Sequence, residues 1–309
     1  MRVSVVLIML ASVLAGIAGP VAQPAGATLP GGNGLIAFDR QFDLGNYEIY
    51  VVDPVTGDQT RLTDNLVDDF GAAWSPDGTR IAFSRDVGGG NYELFVMSAD
   101  GTAQDRITRS RGVDTRPSWS PDGTRLVFQR QMSRDVDLAV ANADGSGKIK
   151  YLTDNKVDDD APDWSPDGTQ IVFSSSRTGR RDLYSLRLST GKAKQITSGK
   201  RPDAAPSWSP DGTSVVFEAY GAGDRELYIR NLLTGVETKL TENNKDDVQA
   251  VWSPDGTRIA FSSDKGGGDL EITTVAADGT GLVPVMENGR TDELPDWQPV
   301  APVPPAPAP

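Results

Sequence analysis

The ionisable chemistry open to this chain is narrow: 43 Asp and Glu, 30 Lys and Arg, and neither His nor Cys. Without His there is no Ser-His-Asp or Cys-His nucleophile, and no His-ligated zinc, iron or manganese. Without Cys there are no disulfide staples. Gly88-Gly89-Gly90 and Gly266-Gly267-Gly268 lie between strand-like runs and precede no helix, so they read as loop tips and not as phosphate cradles. Carboxylate chemistry remains. Two acids could flank a glycosidic bond, but among 43 carboxylates nothing marks out one pair, and the loop aromatics Phe42, Phe70 and Tyr220 are scattered. No catalytic residue, metal or cofactor is expected.

Two charge patterns point instead to recognition. An Asp stands five residues before each Trp, at Asp69, Asp114, Asp159, Asp203, Asp247 and Asp292. Six carboxylates around a channel could hold a cation or a basic peptide; alternatively each caps its own turn by accepting backbone N–H groups. The segments around them fall into two classes. Asp64-Asn65-Leu66-Val67-Asp68-Asp69, Asp154-Asn155-Lys156-Val157-Asp158-Asp159 and Glu242-Asn243-Asn244-Lys245-Asp246-Asp247 are acidic. The segments between them carry Arg109, Arg111 and Arg116, then Lys200 and Arg201, then Arg290. Alternation of this kind gives a mouth with approximate threefold charge symmetry, which is expected to dock a protein or peptide. The competing expectation is that neighbouring loops merely pair with one another, an arrangement of small energetic value. Closely spaced Asp and Asn oxygens also suit calcium, but no loop has the EF-hand pattern.

The elements that position these residues follow from a repeat. Trp-Ser-Pro-Asp-Gly-Thr starts at Trp74, Trp119, Trp164, Trp208 and Trp252, and a worn copy starts at Trp297, with spacings of 45, 45, 44, 44 and 45. A period of about 40–45 residues is one propeller blade. Within each unit, Pro-Asp-Gly makes a tight turn into runs such as Ile81-Ala82-Phe83 and Leu126-Val127-Phe128. A third strand with an acid near its start and a fourth strand follow. The sequence therefore predicts an all-β, six-bladed β-propeller of four-stranded antiparallel blades, closed by three N-terminal strands and the C-terminal strand Leu294-Pro295-Asp296-Trp297. Six evenly spaced Trp are expected to fill the wedges between sheets. The Ser-Pro-Asp-Gly turns share one face with the Asp-Gly and Thr-Gly turns; the variable loops occupy the other, where binding surfaces usually sit.

Repeats reading Asp-x-x-Pro-x-Trp-Ser-Pro-Asp-Gly-x-x-Ile-Ala-Phe resemble those of the TolB propeller, a WD-repeat-like family of bacterial envelope proteins. The resemblance covers residues ~33–298. It implies a periplasmic or secreted protein that binds other proteins, as the TolB propeller binds a peptidoglycan-associated lipoprotein. TolB also carries an α/β domain ahead of its propeller, and here only the leader and a short linker precede Leu35.

Residues 1–27 read as a secretory signal peptide, with Arg2, the apolar run Val3 to Ile17 and Ala25-Gly26-Ala27 as the cleavage pattern. Residues 28–32 read as a linker, 33–298 as the propeller, and 299–309 as a Pro/Ala-rich disordered tail. A net charge of −13 argues against a nucleic-acid partner and gives no reason for membrane insertion after signal cleavage. The expected function is a monomeric, exported, non-catalytic module of the cell envelope that binds another protein or peptide through its loop-rich face. The alternative is an envelope polysaccharide-binding protein or a carboxylate-dependent glycan-active enzyme.

Overall fold

The computed structural model describes residues 32–42, 46–132, 135–221, 223–266 and 268–300. They form six four-stranded antiparallel sheets arranged in a ring, with no helix among the described residues. In blade one, Gly32–Gln41, Tyr47–Val52 and Gln59–Arg61 are joined on the inside by Asp292–Val300 from the other end of the chain. The expected closure is therefore the observed one. Blades two to six each run from inner to outer strand in chain order. The signal segment 1–27 and residues 301–309 lie outside the described residues.

The seam is longer than the sequence suggests. Gly32 pairs with Val300 and Asn33 with Pro299. Gly32, expected in the linker, and Pro299 and Val300, expected in the tail, therefore belong to the ring. Pro299 fits because it is the last residue but one of the inner strand, where a missing N–H interrupts little of the ladder.

The strands form where β-branched and aromatic residues alternate, and the second strand of every blade buries a Phe completely: Phe38, Phe83, Phe128, Phe173, Phe217 and Phe261. Each Trp packs against the blade before it; Trp119, for example, shares a cluster with Ala82, Leu94 and Val96 of blade two. The turn between first and second strands is closed by its own residues. Ser75 Oγ donates to Asp77 at 2.6 Å, Gly78 N–H donates to Ser75 O at 2.8 Å, and Arg80 N–H donates to Ser75 Oγ at 3.0 Å. Outer strands are short, two to four residues, which limits edge-to-edge pairing with other chains.

Every inner strand also carries a bulge three residues before its Trp. Gly71, Arg116, Ala161, Ala205, Gln249 and Leu294 have φ between +48° and +68°, and the register with the second strand slips at that point.

Gly78 and Gly57 both have left-handed φ, +67° and +77°, but a Cβ on Gly78 would lie 2.2 Å from Pro299 O while one on Gly57 meets nothing. Gly57→Ala is expected to destabilise by about 1–2 kcal/mol, and Gly78→Ala by clearly more because it pushes on the seam. Denaturant midpoints compare the two; equal losses would show that Pro299 is not seated there.

Candidate functional site: the channel and the loop-rich face

The six Asp residues at the starts of the inner strands do not form an accessible ring. Asp69, Asp114, Asp159, Asp203, Asp247 and Asp292 are at most 2% exposed, and none lines the channel. In five blades a guanidinium covers the carboxylate. Arg85 bonds Asp69 at 2.6 and 2.7 Å, Arg130 bonds Asp114 at 2.5 and 2.6 Å, and Arg40 bonds Asp292 at 2.7 and 2.7 Å. Arg177 reaches Asp159 at 2.6 Å and Arg201 reaches Asp203 at 3.0 Å. Each guanidinium lies over the buried Phe of its own blade, as Arg85 does over Phe83 at 5.1 Å. Blade six has no such Arg; Ser263 at 2.7 Å and Asn243 at 2.6 Å serve Asp247. Burial pushes the carboxyls of Asp114, Asp203 and Asp247 upward against these bonds. The expectation of a cation- or peptide-binding Asp ring, and of these six as docking residues, gives way to a structural role.

The second acid of each acidic loop is also engaged. Asp68 accepts from Tyr47 N–H at 3.1 Å and Tyr92 Oη–H at 2.7 Å, Asp158 from Val136 N–H at 3.1 Å, and Asp246 from Arg225 N–H at 2.8 Å. Each ties the loop to the start of the preceding blade's third strand. The threefold alternation is real, but at these positions it serves a backbone latch. Among the bases, Arg201 is bound to Asp203 and to Glu237 at 2.8 Å. Arg290 stacks on Phe42 at 4.8 Å. Arg116 points away from the rim and lines the channel. Of the expected docking residues, Asp64, Asp154, Arg109, Arg111 and Lys200 remain exposed; Lys156, Glu242, Lys245 and Leu66, which is 93% exposed, join them on the loop-rich face.

The channel itself was not singled out by the sequence. It has a volume of about 340 Å³ and is lined by the inner strands, all six Trp, and Pro76, Pro121, Pro166, Pro210, Pro254 and Pro299 at the repeated-turn face. Two carboxylates stand in its wall. Asp163 accepts from Trp208 N–H at 2.8 Å and Ser118 Oγ–H at 2.8 Å, and Asp296 accepts from Trp74 N–H at 2.6 Å. Burial raises Asp163 to about 6 despite those donors. Burial, together with the charge of Asp163, raises Asp296 to about 7. A signal for both was present: the residue before Trp is Ala73, Ser118, Ser207 or Val251 elsewhere, and only these two copies place an acid there. Further toward the loop-rich face, Arg181 pairs with Asp160 at 2.5 Å. Among the described residues no group of three or more acids could hold a metal ion, and no helix is long and apolar enough to cross a membrane.

This ring of Trp-anchored blades defines a class. A family model described as the TolB beta propeller domain matches residues 112–201 and 187–301, and the chain belongs to that family. TolB from Acinetobacter baumannii superposes with a TM-score of 0.76 at 22% identity, covering 86% of this chain and 67% of that one. A putative TolB from Agrobacterium tumefaciens gives 0.71 at 17% identity, covering 85% and 92%. An oligogalacturonate lyase from Vibrio parahaemolyticus gives 0.54 at 16% identity, covering 74% and 71%. At such identities the likeness concerns the fold, which binding proteins and enzymes share. No curated protein matches the chain in sequence.

Two predictions follow from the charges. Asp296 has a folded pKa near 7 against an unfolded value of about 3.9, so the folded state holds the extra proton between those values. Its contribution to stability therefore falls as pH rises from about 4 to 7. Asp296→Asn, which keeps an oxygen for Trp74 N–H, is expected to flatten the change in melting temperature between pH 5 and 7.5; an unaltered pH profile contradicts this. Asp114→Asn, which strands a buried Arg130, is expected to cost about 3–5 kcal/mol, and Asp247→Asn, with no Arg to strand, markedly less. Urea unfolding of both variants measures the gap.

Proposed function

We propose that this chain is a monomeric, exported, non-catalytic module of the bacterial cell envelope that captures a protein or peptide on the loop-rich face. The observation that carries the reading is a groove of about 480 Å³ between blades three and four, which runs from Thr153 to Val157 and Arg177 on that side past Leu152, Leu186 and Ala193 to Gly191 at the opposite turn. Asp154 and Lys156 stand exposed at its edge. The same face holds exposed Leu66, Arg109 and Arg111, whereas the opposite face repeats one closed turn in blade after blade. Asp64 has an exposed pair with Arg61 at 2.8 Å, of small energetic value; exposed charges around an apolar side chain on a rigid scaffold are what a partner surface requires. Membership of the TolB beta propeller family supports binding over catalysis, as does the absence of His and Cys.

The test uses exposed residues only, because Asp68, Asp158 and Asp246 hold the ring. Capture from envelope extracts is compared between wild type, Asp64→Lys/Asp154→Lys, Arg109→Glu/Arg111→Glu, and the repeated-turn variant Thr56→Lys/Thr234→Lys. Rim variants are expected to lose at least nine-tenths of the captured protein with unchanged melting temperature, and the turn variant none. Equal capture by all forms would sink the reading. Retained oligosaccharide with no protein would favour the polysaccharide-binding alternative.

A further inference from the structure

A third cavity also lies between blades three and four. Its volume is about 340 Å³, and its walls include Arg125, Lys148 and Lys150 together with Asn142, Leu188 and Trp164. Three cations around one groove are unexpected in a chain of net charge −13. Among the described residues neither Lys148 nor Lys150 has an ion pair, and Arg125 has only an exposed contact with Asp122 at 3.8 Å.

The repeat supplies its own controls. Strand pairing aligns Lys150 with Thr60, Asp105, Lys194, Thr238 and Val283. Lysines that only guard an outer edge would recur around the ring; this one recurs only as Lys194 in blade four. Arg125 occupies the place of Arg80 and Arg258, but those two are used internally: Arg80 donates to Gly123 O at 3.0 Å and Arg258 to Thr274 Oγ1 at 2.8 Å. Arg125 makes no such bond among the described residues; like Arg80 it rests on the next blade's Trp, here Trp164 at 4.9 Å, and it lines the groove. The neighbouring stretch from Leu183 to Pro202 adds Arg187, Lys192, Lys194, Lys200 and Arg201 and contains no acid. The sector is locally positive on an otherwise acidic ring.

We infer that this groove binds an anionic saccharide, with a phosphate or carboxylate held by Arg125, Lys148 and Lys150 and the sugar against the apolar wall of Val140, Leu152 and Leu188. A guanidinium suits the planar, two-oxygen face of either anion. The volume fits a compact ligand. The outer strand here, Lys150–Tyr151, is two residues long, too short to add a peptide as a further strand, and a long polyanion would meet the acidic remainder of the surface. This groove and the one at Thr153 to Val157 lie along the same junction of blades three and four and share Leu152, but Arg125, Lys148 and Lys150 line this one alone.

Calorimetry with the full chain tests it, using a glucuronic acid trimer, glucose 6-phosphate, a neutral glucose trimer and hexaglutamate. Saturable binding of the two anionic sugars, weakened by salt and absent for the neutral trimer, is expected. Lys148→Glu/Lys150→Glu is expected to weaken it at least tenfold without changing the melting temperature, and Asp64→Lys/Asp154→Lys to leave it unchanged. Should the charge reversal disturb folding, Lys148→Gln/Lys150→Gln gives the same readout with a smaller loss. Failure of both anionic sugars to bind, indifference to the lysine substitutions, or hexaglutamate binding as tightly as the sugars would each overturn the assignment.

Discussion

The ring depends on one joint, made by the left-handed residue three places before each Trp. Its bulge turns a backbone N–H out of the inner strand toward the blade before it, where a side chain following the buried Phe accepts it. Gly71 bonds Asp39 at 2.6 Å, Ala161 bonds Gln129 at 3.1 Å, Ala205 bonds Ser174 at 3.0 Å, and Gln249 bonds Glu218 at 3.0 Å. At the seam the acceptor is the Gln249 side chain, which holds Leu294 N–H at 3.0 Å. A left-handed non-glycine residue costs about 1–2 kcal/mol, and a neutral hydrogen bond returns about 0.5–1.5. Gly71 carries no such strain; at Gln249 the bond to the Glu218 carboxylate, about 1.5–3 kcal/mol, exceeds it, and at Ala205 the bond to Ser174 roughly matches it, so packing of the Trp wedge must supply the remainder. Between blades two and three the expected acceptor, Ser84, has a buried hydroxyl without a partner. There, and among the described residues nowhere else, the wedge indole makes its own bond, Trp119 Nε1–H to Ala73 O at 3.0 Å.

That joint explains what was legible in the sequence and what was not. Blade number, closure and the faces of the ring follow from Trp spacing and turn residues, because tight turns and wedge-filling aromatics restrict residue type. The left-handed position imposes no such signature: it holds Gly, Arg, Ala, Ala, Gln and Leu. Its geometry is fixed by the neighbouring blade, a contact some thirty residues away in sequence (|i−j| of 31 or 32 for Gly71, Ala161, Ala205 and Gln249). The two seam residues beyond 298 escaped for a related reason, since a Pro-rich composition conceals pairing with a strand at the opposite end of the chain.

The Asp five places before Trp shows the complementary difficulty. Its period was visible, but its partner was not, because the cation arrives from different places. Arg40, Arg85 and Arg130 sit on the second strand, Arg177 lies just after it, and Arg201 precedes the inner strand of its own blade. What the blades share is a site between a buried carboxylate and a Phe ring, and any guanidinium long enough to reach it suffices. Exposure separates such residues from binding residues, and exposure depends on which loop folds over which strand.

Symmetry then identifies where recognition can reside. A position that every blade needs, such as the Trp, the Phe or the bulge, is committed to holding the ring and is unavailable to a partner. Asp163 and Asp296 break the pattern but still cap the Trp N–H of the following blade, so even this departure is partly structural. Arg109, Arg111 and Asp154 on the loop-rich face, and the cluster of Arg125, Lys148 and Lys150 between blades three and four, depart from it without any bond that the ring requires. A six-fold scaffold gains specificity only by departing from its repeat, and the departures that carry no structural task are the places to seek it.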